Sequence, residues 1–294
     1  MEAQLLEPER SGVDAHQPTD ALSGLLRNAS IETAIQDISS IERECASLRR
    51  GTECFVPWLP SMPYQHLVTV SVRLAAAGLV PVPHVAARRL ADSRSARDLL
   101  LRLVGEAGVD RLLLVGGDVD RPVGPYAEAG DLLASGIVEG SGVHHVGLAG
   151  YPEGHPVVAL AELKEALSRK LARAREAGLQ SFIVSQFCFE ANPILEWIGT
   201  LRKEGIDVPL RIGLAAPAKL RTLIAYGARC GVGGSLRAIK SQGLSLTRLV
   251  GSAGPEPILA ELARGPLGAR VGVHFFSFGG VLSTARWLTA LEQV

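Results

Sequence analysis

The sequence predicts an α/β protein in which eight parallel strands close into a (β/α)8 barrel, the TIM-barrel architecture, as a single domain. The chain has 294 residues, 47% of them hydrophobic and 20% charged, so it is long enough to bury one large core. Short apolar or β-branched runs alternate with longer segments of helical periodicity. Eight such units over about 265 residues match the usual length of this barrel.

Eight short apolar or β-branched segments predict the strands. They are residues 29–34, 53–57, 80–86, 111–116, 143–149, 181–186, 209–214 and 271–277. The alternative fold is a doubly wound open sheet. That fold commonly has a glycine-rich dinucleotide turn after its first strand, and residues 31–36 contain no glycine, which favours the barrel.

Helical periodicity marks the segments between the strands. The clearest helix candidates are residues 38–50, 96–107, 160–177, 193–204 and 218–230. In 160–177 the leucines recur every three or four residues along one stripe, and Gly178 ends the helix. Residues 251–268 predict a loop and a short helix. Residues 1–27 predict a tail that runs into a short helix, so the barrel takes residues 28–294.

The composition narrows the class of partner. Thirty basic residues balance thirty acidic ones, so there is no excess charge to attract nucleic acid or anionic lipid, and a small-molecule partner is expected. The four cysteines are far apart and form no C-x-x-C pair, which argues against a disulfide framework and against a metal site. Oligomeric state is left open, with a homo-oligomer possible.

The N-terminal residues predict the location of the protein. They include acidic residues where a signal peptide needs positive charge, and no apolar run reaches the ~18 residues of a membrane span. A cytoplasmic protein without a membrane segment is therefore expected.

Polar residues at the carboxyl ends of the predicted strands are the candidates for chemistry, because these ends meet at the catalytic face of a barrel. They are Glu32, His84, Asp118, Tyr151, Glu153, His155, Gln186 and Ser277. Each also has a structural explanation: Glu32 as a rim carboxylate paired with an arginine, Asp118 as part of an ordinary turn, and His155 as a loop residue bonded to backbone. Gln186 ends a strongly apolar strand, where its amide needs partners that a planar heterocycle supplies.

Four segments resemble motifs of one enzyme family. Residues 151–156, Tyr-Pro-Glu-Gly-His-Pro, resemble the Y-P-E-x-H-P signature of methylenetetrahydrofolate reductases. Residues 182–190 resemble the I-T-Q-F-F-F-D strand of that family, residues 115–118 its L-x-G-D turn, and residues 83–84 its P-H strand end. The first motif is specific and the others gain weight from their order, so the chain is identified as a divergent member.

The resemblance implies an oxidoreductase that interconverts 5,10-methylenetetrahydrofolate and 5-methyltetrahydrofolate by hydride transfer, through FAD with NAD(P)H as its partner. Carried over by motif, Glu32 is the general acid, and burial beside Ile31, Ala34 and Ile35 is expected to keep it protonated near neutral pH. Asp118 stabilises the cationic iminium. The implied substrate-binding residues are Gln186 at the pterin edge with the aromatic residues Tyr226 and Phe189.

The FAD contacts implied by the same matches are His84, Gly117, Asp118, Tyr126, Ala127, Tyr151 and His155. The chain also departs from the family. The proline pair after the first-strand glutamate is missing, and Leu167, Lys170 and Ala174 stand where an aspartate, an asparagine and a lysine usually contact FAD. Flavin-independent transfer from NADH therefore stays open.

Two further alternatives also stay open. A pterin-dependent methyltransferase barrel would need the same amide and acid without a redox cofactor. A non-catalytic folate-binding barrel would explain the missing FAD ligands, although the retained Glu32, Asp118 and Gln186 argue against it.

Overall fold

The computed structural model describes residues 17–33, 38–59, 62–230, 252–268 and 270–292. Ala34 and Ile35, two of the expected apolar neighbours of Glu32, lie outside these ranges. Within them, eight parallel strands hydrogen-bond in a closed ring, and helices alternate with the strands along the chain. The predicted (β/α)8 barrel is confirmed.

The barrel strands are β1 (Ser30–Glu32), β2 (Glu53–Val56), β3 (Val80–Ala86), β4 (Arg111–Val115), β5 (His145–Gly150), β6 (Gln180–Ser185), β7 (Leu210–Ala215) and β8 (Val271–Phe276). Each overlaps one of the eight segments predicted from the sequence. Neighbours in sequence are neighbours in the ring, and β1 pairs with β8 to close it.

The helices are α1 (Gln17–Leu26), α2 (Ile41–Cys45), α3 (Tyr64–Ala76), α4 (Ser93–Ala107), α5 (Ala129–Ala134), α6 (Leu160–Glu176), α7 (Ala191–Lys203), α8 (Leu220–Arg229), α9 (Glu256–Arg264) and α10 (Val281–Leu291). The helix predicted over 38–50 is shorter, because a 3-10 turn at Ile38–Ser40 precedes the five residues of α2. The start of the segment predicted as 218–230 is not helical, since Ala218–Lys219 pairs antiparallel with Ser252–Ala253.

Local sequence explains where α4 begins and ends. The Asp92 carboxylate accepts a hydrogen bond from the backbone N–H of Ser95 at 2.7 Å, and the Ser95 hydroxyl completes a capping box. Gly108 ends the helix at φ +62°, a conformation that costs glycine little. Leu99 and Leu103 face the strands and are fully buried.

The short helix α1 packs against α9 and β8, with Leu25 and Leu26 buried in the main core. A division of the chain after residue 27 stays a prediction. In the described part of the chain, no helix combines the length and the apolar character needed to cross a membrane.

Aromatic and aliphatic side chains from several strands fill the inside of the barrel. Phe55, Val82, Leu113, Phe182 and Val184 form a buried cluster separate from the one between strands and helices. Gly147 makes room for this layer, because a Cβ there would lie 2.6 Å from the Phe182 ring. Apolar side chains therefore fill the barrel interior, as is usual for this fold.

An ion cluster lies below this layer, at the amino-terminal ends of the strands. Glu53 contacts Arg111 through Oε1 and Arg211 through Oε2, both at 2.6 Å. The Glu53 side chain is only 12% exposed. One carboxylate thus joins β2, β4 and β7 across the barrel. Arg111 also pairs with Asp110 at 2.9 Å, whereas Glu53 is the only carboxylate among the described residues that pairs with Arg211.

Replacing Glu53 with alanine is expected to lower the free energy of unfolding by about 3 kcal/mol, because the partly buried guanidinium of Arg211 loses its counter-ion, while that of Arg111 keeps Asp110. Urea denaturation measures the change. Glu42→Ala is the matched control, since Glu42 forms an equally short but exposed pair with Arg73 and its loss is expected to leave stability nearly unchanged. Equal effects of the two substitutions would contradict the structural role of the buried cluster.

Candidate active site

Three polar side chains meet inside the carboxyl-terminal end of the barrel. Glu32 is the last residue of β1, and its Oε2 lies 3.8 Å from Nε2 of His84 in β3 and 3.7 Å from Nε2 of His274 in β8. The exposed fractions of the three side chains are 18%, 14% and 1%. A carboxylate between two imidazoles in a restricted space is an arrangement that can hold and move a proton.

His274 is anchored on its far side by Ser30. Ser30 and His274 face each other in the β1–β8 pairing, and the Ser30 Oγ lies 3.0 Å from the His274 Nδ1. Both residues are fully buried. A chain of contacts therefore runs from Ser30 through the imidazole of His274 to Glu32.

The surroundings of Glu32 decide its charge. Burial acts to raise its pKa, but the nearness of the two imidazoles, that of His274 above all, outweighs burial and holds the pKa below its ordinary value. The expectation that desolvation keeps Glu32 protonated near neutral pH is therefore wrong. Burial lowers the pKa of His84 to about 4, so this imidazole is neutral at neutral pH.

Gln186 follows β6 and is half-buried. Its side-chain Oε1 accepts a hydrogen bond from the backbone N–H of Phe187 at 3.1 Å, and its own backbone N–H donates to the Gly150 carbonyl at 2.8 Å. Among the residues described, none accepts a hydrogen bond from its side-chain nitrogen. The amide is thus held in place with one end available to a ligand.

Five aromatic residues form an aromatic wall beside Gln186: Phe187, Phe189, Phe276, Phe278 and Tyr226. Phe187 is buried at the centre, with ring centroids 4.9–5.5 Å from those of its three phenylalanine neighbours. Tyr226 stacks on Phe278 at 4.2 Å with an interplanar angle of 17° and is 40% exposed. A surface of this kind suits a planar ligand.

The aromatic wall continues to the Glu32 cluster. His274 lies 4.9 Å from Phe276 and 4.5 Å from Phe55, measured between ring centroids. The structure therefore brings Glu32 and the aromatic residues predicted for substrate, Tyr226 and Phe189, to one continuous surface.

The loops after β4 and β5 carry most of the other predicted residues. Gly117 has φ +105°, and a Cβ there would lie 3.2 Å from the Cβ of Ala86, so the turn needs glycine. Asp118 follows it and is exposed. Ala127 is exposed, and its carbonyl accepts a hydrogen bond from Arg88 at 2.7 Å. These residues lie at the carboxyl-terminal opening of the barrel, its mouth, on the side of β4.

Tyr126 has a different setting. It is only 4% exposed, and its hydroxyl lies 2.8 Å from the Ser93 hydroxyl. Tyr151 and His155 make an edge contact at 5.2 Å after β5. His155 Nδ1 also accepts a hydrogen bond from the backbone of Val157 at 3.3 Å, the backbone bonding considered as its structural alternative.

The sequence analysis missed two residues of the Glu32 cluster, His274 and Ser30. The signal was present in the strand alternation: Ser30 lies two residues before Glu32, and His274 two before Phe276, so each shares a face with a residue of the mouth. It also missed three members of the aromatic wall, Phe187, Phe276 and Phe278. In the described ranges, no group of three or more His, Cys, Asp or Glu is arranged to hold a metal ion.

A parallel barrel with an acid and an aromatic surface at its carboxyl-terminal mouth defines a class of small-molecule enzymes. Residues 68–221 match the family model for methylenetetrahydrofolate reductase. The match covers more than half of the chain, and the chain therefore belongs to the methylenetetrahydrofolate reductase family. His84, Asp118 and Gln186 lie inside the matched range, whereas Glu32 and Tyr226 lie outside it.

Family membership supports a folate-related oxidoreductase.

Proposed function

We propose that the protein interconverts 5,10-methylenetetrahydrofolate and 5-methyltetrahydrofolate by hydride transfer, with FAD as cofactor and NAD(P)H as electron partner, in the cytoplasm. The observation that carries this proposal is the position of Glu32. It is the only carboxylate among the described residues that contacts both imidazoles of the mouth, and it adjoins the aromatic wall.

Glu32 supplies and receives the proton of the reaction. Opening the five-membered ring of the methylene substrate requires a proton on the departing nitrogen and leaves an iminium that accepts hydride. In the reverse direction the nitrogen loses that proton as the ring closes. Because Glu32 is ionised in the free protein, it takes up a proton before ring opening and is ready to accept one for ring closure.

The remaining residues orient the folate. Gln186 presents its free amide nitrogen to the pterin edge, while Tyr226 and Phe189 offer aromatic faces to the planar rings. Asp118 places a carboxylate at the mouth, where a negative charge favours the cationic iminium over the neutral substrate. The residues that bind the folate and the residue that stabilises the iminium charge thus follow different strands of the barrel.

Most of the positions implied for FAD suit a flavin, and two do not. Gly117, Asp118, Ala127, Tyr151 and His155 lie on the loops after β4 and β5, where a turn without a Cβ and two aromatic rings suit a flavin. His84 faces Glu32, and Tyr126 offers little beyond its ring edge because its hydroxyl is bonded to Ser93. When bound there, FAD would relay the hydride between NAD(P)H and the folate.

Direct hydride transfer from NADH is the second candidate, and a specific observation favours it. Leu167 and Ala174 are 7% and 0% exposed, so these positions of α6 face the core and offer none of the polar contacts that FAD receives there in the family. The family resemblance implies FAD contacts at all three of positions 126, 167 and 174. The buried Tyr126, Leu167 and Ala174 do not supply them.

A visible absorption spectrum separates the two candidates. Purified protein supplied with FAD is expected to show a bound flavin band near ~450 nm that bleaches on addition of 5-methyltetrahydrofolate under anaerobic conditions. A colourless protein that oxidises the folate only with a nicotinamide would instead support direct transfer. Methyl transfer to an acceptor without nicotinamide dependence would contradict both.

Replacing Glu32 with glutamine is expected to reduce folate turnover by about 10²–10⁴-fold, because the amide cannot exchange the proton. Steady-state assays in both directions measure the loss, and flavin binding is expected to persist. Glu106→Gln serves as control, since Glu106 lies on the outer face of α4 in an exposed pair with Arg102. Undiminished turnover in the Glu32 variant would exclude its proposed role.

Replacing Gln186 with leucine is expected to raise the KM for folate by about tenfold, because the pterin edge loses hydrogen bonds. The effect on kcat is expected to be smaller. Gln180→Leu is the matched control, since Gln180 begins the same strand at its opposite, exposed end. Equal KM values for the two variants would argue against Gln186 as a substrate contact.

A further inference from the structure

We infer that His84 and His274 are positioning residues that hold the Glu32 carboxylate by Oε2, so that Oε1 is the atom that exchanges the proton with the folate nitrogen. In the direction of 5-methyltetrahydrofolate oxidation, Oε1 is then the atom that accepts the N10 proton. This inference rests on the proposed function and adds to it the reacting atom and the two residues that position it.

The two imidazoles converge on one oxygen. Nε2 of His84 and Nε2 of His274 lie 3.8 and 3.7 Å from the same atom, Oε2 of Glu32, although they come from β3 and β8. Neither Nε2 has a hydrogen-bond partner among the described residues, so the 3.7–3.8 Å approach to Oε2 is the polar contact within reach of each. Among the described residues, no hydrogen bond or ion pair involves Oε1. The two imidazoles thus contact one oxygen of the carboxylate and leave the other to a ligand.

Ser30 determines which ring nitrogen of His274 carries the proton. Its hydroxyl has one proton and two acceptors within hydrogen-bond distance, Nδ1 of His274 at 3.0 Å and the Val273 carbonyl at 3.4 Å, and the shorter contact favours donation to Nδ1. When the hydroxyl donates to Nδ1, the ring proton resides on Nε2 and points at Oε2. This tautomer stabilises the carboxylate, whereas the other would set a lone pair against it.

No other titratable group faces Glu32 from the elements around it, within the ranges described. β3 contributes His84, β8 contributes His274, and β2 contributes Phe55, whose ring contacts both imidazoles. Phe55 is fully buried and keeps water from the far side of the cluster. The charge of Glu32 is therefore set by the two histidines and opposed by burial.

The oxidative step balances with Glu32 as base. The N5 methyl carbon loses hydride to the oxidant, which is NAD(P)⁺ directly or through the flavin, and an iminium remains. The N10 lone pair then attacks that carbon, the N10–C bond forms, and the N10 proton moves to Oε1 of Glu32. Reduction retraces these steps and must begin with protonated Glu32, which is the minor form in the resting protein.

The test follows the Glu32 carboxyl by ¹³C NMR of protein labelled at glutamate Cδ, with Glu32→Gln to assign its signal. Replacing His274 with asparagine is expected to raise the titration midpoint of Glu32 by about one pH unit, because the imidazole contact that favours the charged carboxylate is lost. Ser30→Ala is expected to give a smaller rise. Because this variant loses only one oxygen atom, it provides the test if the His274 variant does not fold.

His145→Asn is the matched control, because His145 is a strand histidine beside Asp110 at the opposite end of the barrel. It is expected to leave the Glu32 midpoint unchanged. A midpoint that stays fixed in both the His274 and Ser30 variants, or that moves equally in the control, overturns the inference.

A pH profile of kcat/KM provides the second readout. For 5-methyltetrahydrofolate oxidation it is expected to rise with pH through the Glu32 midpoint, and to move upward with that midpoint in the Ser30 variant. A profile that does not follow the midpoint overturns the assignment of Oε1 as the proton acceptor. If the variants shift the NMR midpoint but the wild-type protein turns over no folate in either direction, the proposed function fails while the anchoring of Glu32 by the histidines stands.

Discussion

The pairing of β1 with β8 is the contact on which the rest of the site depends. It closes the barrel, and its register sets Ser30 opposite His274 across 244 positions of sequence. Because side chains alternate along a strand, Glu32 shares the inner face with Ser30 and lies next to His274. A shift of one residue in the register of β1 would turn Glu32 toward the helices. Its contacts with His84 and His274 would then be lost, even if the barrel still closed.

Each end of the barrel places a glutamate between two basic side chains, but the chemistry of the two clusters differs. At the amino-terminal end Glu53 lies between Arg111 and Arg211, and at the other end Glu32 lies between His84 and His274. Guanidinium groups stay charged at any ordinary pH, so the first cluster is a fixed structural tie. Imidazoles titrate, so the second can exchange a proton. The apolar layer around Phe55 and Phe182 keeps the two apart.

The mouth has two unlike sides. The aromatic wall and Gln186 lie on the side of β6 and β8, whereas the turn at Gly117 and the contact of Tyr151 with His155 lie after β4 and β5. The proposed hydride transfer needs two planar partners, and this division would offer one surface to each. The buried Leu167 and Ala174 weaken the second surface as a dinucleotide site, which is why the spectrum of the protein with FAD is decisive for its cofactor.

The sequence by itself determined the barrel, because eight apolar segments separated by amphipathic ones leave few other ways to bury their surfaces. It also located Glu32, His84 and Gln186 at strand ends, which the structure shows. Tertiary structure decided the charge of Glu32, since that depends on His274, a residue made its neighbour only by closure of the ring. It likewise decided that the Tyr126 hydroxyl bonds to Ser93, because no local pattern specifies which distant side chain will meet a buried phenol. Periodicity fixes the face on which a residue lies, whereas contacts between distant strands fix its protonation and its partners.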